Sequence, residues 1–290
     1  MDNLNQESFT KRDDAGGGFS RRAALAFIGA GAASAAVAIG AASARGPAKG
    51  TFERILAVSG PADITVTAGS GSIVMRPGDR STVRVLGKIE LWEEDERDAH
   101  ERVRRIEANP PIEQDGGSVR IGDIRDETLR RGVSIAYEII VPPGTHLRAF
   151  TGSGSIDTQG LGGMMAETGS GSIRLQQGVP GDTEAKTGSG SIRLSGLRGG
   201  LLAHTGSGSV DVEGLPTRDW HVRTGSGNVK IRVPADAAFE IVASTRSGSV
   251  KTSRELLVKD AQGRGMLRGK AHGGGPLIDV MTGSGNIQVD

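Results

Sequence analysis

Thr187-Gly188-Ser189-Gly190-Ser191-Ile192-Arg193-Leu194 and, starting again at 205, Thr205-Gly206-Ser207-Gly208-Ser209-Val210-Asp211-Val212 decide the fold of this chain. The motif Thr-Gly-Ser-Gly-Ser/Asn-Ile/Val also starts at Thr151, Thr168 and Thr224. Variants start at Ala68, at Thr245 (with Arg246 in place of the first glycine) and at Thr282. From Thr151 onward the successive intervals are 17, 19, 18, 19, 21 and 37 residues. A recurring period of this size marks a solenoid, in which no repeat can bury its apolar face alone and each stacks on its neighbours. The last interval is about twice the others, which predicts one coil between 245 and 282 that has lost its motif.

Within each repeat the apolar positions alternate. Ile173-x-Leu175, Ile192-x-Leu194, Val210-x-Val212 and Val229-x-Ile231 follow the motif, and Ala166-x-Thr168, Ala185-x-Thr187, Ala203-x-Thr205 and Val222-x-Thr224 lead into it. Period two means strands with one buried face. Each repeat therefore holds two short strands, joined by turns such as Gly196-Leu197-Arg198-Gly199-Gly200. This reads as an all-β fold, a β-solenoid (β-helix-like) of about 18–20-residue coils. Coils stacking at about 4.8 Å would make a rod of roughly 35 Å. The glycines read as corner residues, with threonine and serine hydroxyls bonding along the stack.

The residues before Thr151 differ in texture. Ile64-x-Val66, Ile73-x-Met75 and Val83-x-Val85 alternate, with Pro77-Gly78-Asp79 as a turn. Ala99, Val103 and Ile106 predict one short helix over 93–108, stopped by Asn109-Pro110-Pro111. Strands resume at Ser118–Ile121 and Val133–Val141. Solenoids need their ends covered, so 51–150 reads as a strand-rich N-terminal cap and 151–290 as the repeat solenoid. Only Gln288-Val289-Asp290 follows the last motif. The last coil is then either covered by the 253–281 excursion, with Leu256, Leu257 and Val258, or left open to a partner. Self-capping is the favoured reading, and with it a monomeric ectodomain.

Composition narrows the function. The net charge of +1 gives no footprint for nucleic acid. Cysteine is absent, so there is no disulfide and no thiolate. Residues 1–22 read as a disordered cytoplasmic segment or signal n-region. Residues 23–44 carry no charge, and Arg21, Arg22 and Arg45 flank them. The stretch is long enough to span a bilayer, and it reads as a signal peptide or a single transmembrane anchor. Ser20-Arg21-Arg22-Ala23-Ala24-Leu25 resembles a twin-arginine export motif, and Ala42-Ser43-Ala44 fits a cleavage site. Either reading places the remainder outside the cytoplasm, at the cell envelope, with the membrane as a partner if the segment is retained.

No catalytic constellation emerges. Each glycine-rich segment precedes a strand rather than a helix N-terminus, which argues against phosphate binding. His100, His146, His204, His221 and His272 lack ligand spacing. No serine sits in a nucleophile elbow. The expectation is a non-enzymatic protein without cofactor or metal, with a polysaccharide-active β-helix enzyme as the alternative; that would need acids converging on one groove. One candidate site stands out. If the coils stack in register, Arg174, Lys186, Arg193, Arg223, Lys230 and Lys251 lie on neighbouring faces and form a basic strip for an anionic envelope polymer or protein.

Two further stretches carry a family resemblance. Ile139-Ile140-Val141-Pro142-Pro143-Gly144-Thr145-His146-Leu147 leads into the first regular motif. Leu267-Arg268-Gly269 and Gly273-Gly274-Gly275 lead into the last. Together with the repeats, over about residues 52–290, they resemble the bacterial putative-adhesin β-strand-repeat family, a domain of unknown function. The resemblance implies a β-solenoid on an envelope-associated protein and carries over no catalytic residue.

Overall fold

The computed structural model describes residues 46–93, 95–122, 124–260 and 265–290. The readings of 1–22 and 23–44 lie outside them. Strands β1 (Ala48–Ala57), β2 (Asp63–Ala68), β3 (Ile73–Pro77) and β4 (Thr82–Leu91) come first, followed by helix α1 (Glu96–Ala108). Next are β5 (Ile112–Asp115), β6 (Ser118–Ile121), the short helix α2 (Glu127–Arg130) and β7 (Val133–Val141). The repeats supply β8 (His146–Thr151), β9 (Ile156–Leu161), β10 (Met164–Thr168), β11 (Ile173–Gln177) and β12 (Thr183–Thr187). After them run β13 (Ile192–Ser207), β14 (Val210–Ser226), β15 (Val229–Arg232), β16 (Phe239–Ser247) and β17 (Val250–Thr252). The chain finishes with β18 (Leu257–Asp260), β19 (Met266–Ala271), β20 (Leu277–Ser284) and β21 (Ile287–Val289).

These strands stack into two parallel ladders. One runs β6, β2, β8, β10, β12, the later halves of β13 and β14, β20 and β16. The other runs β7, β3, β9, β11, the earlier halves of β13 and β14, β15, β21 and β17. The expected all-β solenoid is thus present. The expected Gly196–Gly200 turn stays in the ladder, so β13 continues through the corner, with register shifts on either side of it.

Period two sets the core. Ile192 and Leu194 are buried and Arg193 between them is exposed. The same alternation buries Ile173, Leu175, Val210, Val212, Val229 and Ile231. Each such side chain contributes roughly 1.5–3 kcal/mol by leaving water.

The motif itself stacks residue on residue. Thr151, Thr168, Thr187, Thr205, Thr224, Thr282 and Thr245 align across the coils. Each donates its hydroxyl to the second motif glycine of the adjoining coil. Thr187 Oγ1 to Gly171 O is 2.8 Å, Thr205 Oγ1 to Gly190 O is 2.9 Å and Thr245 Oγ1 to Gly285 O is 2.9 Å. Several also accept from the glycine amide three residues on, as Thr187 does from Gly190 at 3.1 Å. The glycines serve a different end from the one expected. A Cβ on Gly154, Gly171 or Gly190 would stand 1.9–2.0 Å from the neighbouring coil's carbonyl oxygen. Close approach of backbone to backbone demands glycine here; among the motif glycines a positive φ is found at Gly227, Gly248 and Gly285.

Both ends of the stack are interlocked. Consecutive strands β3 and β4 leave a gap, which β7 fills by pairing with both. At the other end β16 and β17 pass one level beyond β14 and β15, and β20 and β21 fill the vacant level. This corrects two expectations. The long interval before Thr282 holds no motif-less coil; β18 and β19 run antiparallel there, and β19 covers the outer edge of β16. The coil ending at Val289 is not terminal in space, because β15 and β17 flank it. The antiparallel excursion reverses the chain twice, which returns it to the open slot.

The cap grows from β1 and β4, paired antiparallel from Ala48–Leu91 to Ala57–Thr82. Asp95 caps α1 by accepting from the amides of Arg97 and Asp98. The helix lays Ala99, Val103 and Ile106 on β1. A second helix, α2, was not foreseen, since its four residues show no apolar period. The first coil, β2–β3, lies inside the stretch assigned to the cap, stacked between β6–β7 and β8–β9.

Tyr137 stands edge-on to Phe52 at 6.4 Å, and burial pushes its hydroxyl well above the usual phenol range. The phenol is neutral when protonated, so its raised folded pKa favours the fold below the unfolded value of about 10. That contribution is lost as pH rises beyond it. Urea titrations across pH 9–12 should show an alkaline loss of stability that Tyr137→Phe reduces. An unchanged alkaline limb in the variant would contradict this placement.

Candidate functional site

The outward positions of the two ladders form rows with one side chain per coil. The row after the motif reads Asp157, Arg174, Arg193, Asp211, Lys230, Gln288, Lys251 in spatial order. The row before the motif reads Phe150, Glu167, Lys186, His204, Arg223, Met281, Ser244. Of the six basic residues singled out from sequence, Arg174 and Arg193 are therefore direct neighbours. Lys230 and Lys251 share their row but are separated by Gln288, because the last coil is inserted between theirs. Lys186 and Arg223 belong to the other ladder, with His204 between them.

Acidic groups accompany these cations. Asp157 lies 3.5 Å from Arg174 and 2.8 Å from Arg76. Asp211 lies 3.9 Å from Arg193 and 2.9 Å from Arg232. Asp279 holds Arg223 at 2.5 Å and His221 at 3.5 Å. Lys230 is 3.9 Å from Asp290. Lys186 bonds Glu184 on its own strand, and that hydrogen bond raises its pKa. The surface is a registered mosaic of both signs rather than a uniform strip. Asp157 and Asp211 were visible in the sequence at the same outward positions. Asp279 and Asp290 were not, since their neighbours follow from the inserted coil.

Exposed pairs of this kind hold by at most about 1 kcal/mol each. Arg174 and Arg193 keep about 60% of their side-chain surface open.

Two open grooves accompany the rows. One, of about 580 Å³, is lined by Asp63, His146, Met165, Asp182, Glu184 and Leu202. Its acids are engaged: Asp63 with His146 at 3.4 Å, Asp182 with Arg218 at 2.7 Å, and Glu184 with Lys186. The other, of about 620 Å³, includes Val179, Arg198, Leu215 and Arg232. Arg232 is already bonded there to Glu213 at 3.1 Å. Among the described residues no group of three His, Asp or Glu could hold a metal ion. Also among the described residues, no helix is long and apolar enough to cross a membrane.

No curated protein matches the chain. Among solved structures, a putative cell adhesion protein from Clostridium sporogenes is 13% identical, with 83% of this chain and 99% of that one covered and a TM-score of 0.34. A putative adhesin from Bacteroides fragilis is 10% identical, with 84% and 99% covered and a TM-score of 0.39. A putative lipid binding protein from Parabacteroides distasonis is 16% identical, with 83% and 96% covered and a TM-score of 0.40. Residues 61–290 match the family model Toastrack DUF4097, and the chain belongs to that family.

Proposed function

We propose that this protein is a non-enzymatic component of the cell envelope, held outside the cytoplasm by residues 23–44, whose stacked coils bind an extended anionic envelope polymer. The observation that carries the reading is the outward row from Asp157 to Lys251, one side chain per coil in unbroken register. A rigid row repeating at about 4.8 Å suits a ligand that is itself long and repetitive. Arg174 and Arg193 form its most basic step.

The test is binding of the full-length protein to an immobilised acidic polysaccharide at rising salt. Binding should fall steeply between low and physiological ionic strength. Replacing Arg174, Arg193 and Lys230 together by glutamate should abolish it while the fold persists. Salt-independent binding, or binding that survives the triple change, would overturn the reading. Turnover of the polysaccharide would favour the enzymatic alternative. Membrane fractionation, with the mature N-terminus located by mass spectrometry, tests the envelope placement.

A further inference from the structure

The chain has two tryptophans, and they stand in opposite environments. Trp220 is fully buried, with its Nε1 donating to Gly199 O at 2.9 Å. Trp92, directly after the end of β4, leaves 62% of its surface exposed. Its backbone amide donates to Gly132 O at 3.1 Å, which ties the end of β4 to the start of β7. A single exposed apolar residue on a surface is ordinary. The position of this one is not arbitrary.

Trp92 directly follows Leu91, the partner of Ala48 at the first residue of β1. Ala48 stands four residues after Ala44, the end of the uncharged segment 23–44. Four residues span at most about 14 Å of extended chain, and adjacent strands lie about 4.8 Å apart. The polar interface of a bilayer is roughly 5–8 Å deep on each side. Trp92 is therefore within reach of that interface whenever segment 23–44 occupies the hydrocarbon core. Lys49, on the strand paired with β4 and beside Glu90, and Arg131, next to Gly132, are both exposed, and Glu93 is next in the chain. A ring with an apolar body and one N–H donor, near long cationic side chains, suits the headgroup level.

We infer that the Trp92 end of the cap docks on the lipid bilayer, with the indole seated in the headgroup interface of the membrane that anchors the chain. This rests on segment 23–44 being retained as an anchor.

Full-length protein should be reconstituted in phosphatidylcholine–phosphatidylglycerol vesicles whose acyl chains carry bromine, a contact quencher of tryptophan emission. Flotation of the vesicles reports anchoring separately. The expected result is co-flotation with strong quenching of one emitting population. In the Trp92→Phe variant the remaining Trp220 emission should be insensitive to bromine. Flotation without quenching of Trp92 overturns the docking and leaves the anchor intact. Failure to float removes the anchor, and the docking falls with it. A blue-shifted Trp92 that bromine does not quench would place a protein surface, such as a second copy, over the indole and would also overturn the inference.

Discussion

Ile192→Asp is expected to unfold the stack cooperatively, while Arg193→Asp leaves it folded. Ile192 is 1% exposed and sits between Ile173 and Val210 of the adjoining coils. An aspartate there would carry its charge into an apolar column with no partner, at a cost above about 4 kcal/mol. The backbone cannot relieve this by turning the strand, because a one-residue slip would expose every apolar neighbour at once. Arg193 is one residue on and faces solvent, with a long pair to Asp211 at 3.9 Å. Its reversal places two acids side by side and should cost about 1 kcal/mol or less. Urea denaturation of the two variants separates the cases. Equal tolerance of both would refute the alternation on which the fold rests.

Gly190→Ala should destabilise by about 3 kcal/mol or more, the upper part of the range for overpacked cores. The new Cβ would lie 1.9 Å from Gly171 O, a backbone atom with no rotamer to change. Moving either coil would break bonds on both sides of the glycine, since its amide donates to Thr187 Oγ1 and its carbonyl accepts from Thr205 Oγ1. The neighbouring Ser189→Ala is exposed and should fall within about 0.5 kcal/mol of the parent. Gly117→Ala, where a Cβ would meet nothing within 4 Å, is a second control. Thermal melts of the three variants report the difference. An unperturbed Gly190→Ala would mean that the coils stand further apart than described.

The parts of the fold that repeat were readable, and the parts that occur once were not. Ile192-x-Leu194 and its equivalents announced strands and their buried face, because side-chain alternation is a local property of the backbone. The threonine ladder followed from the same register. The role of the glycines did not, since the clash that a Cβ on Gly190 would make with Gly171 O arises only once two coils are stacked. The order of the last coils was equally hidden. Nothing in Val250-Lys251-Thr252 or Ile287-Gln288-Val289 says which is nearer β15, because both carry the same pattern. That order also decided the candidate site. It placed Gln288 between Lys230 and Lys251 and brought Asp290 beside Lys230, adding to the mixed charge that Asp157 and Asp211 already gave the row.

The insertion of the last coil is the claim that sets this architecture apart from a simple run of repeats, and amide hydrogen exchange tests it without a mutation. Ile287 N donates to Ser249 O and Asp290 N to Ile231 O, each at 2.9 Å, so β21 is bonded on both sides. Among the described strands, β17 pairs with β21 alone. The amides of Ile287 and Val289 should therefore exchange about as slowly as those of β11 and β13, near the limit set by global unfolding. Those of Val250 and Thr252, on the open side of β17, should exchange faster. Rapid exchange at Ile287 and Val289 together with protection across Val250–Thr252 would stack the coils in sequence order and contradict the insertion.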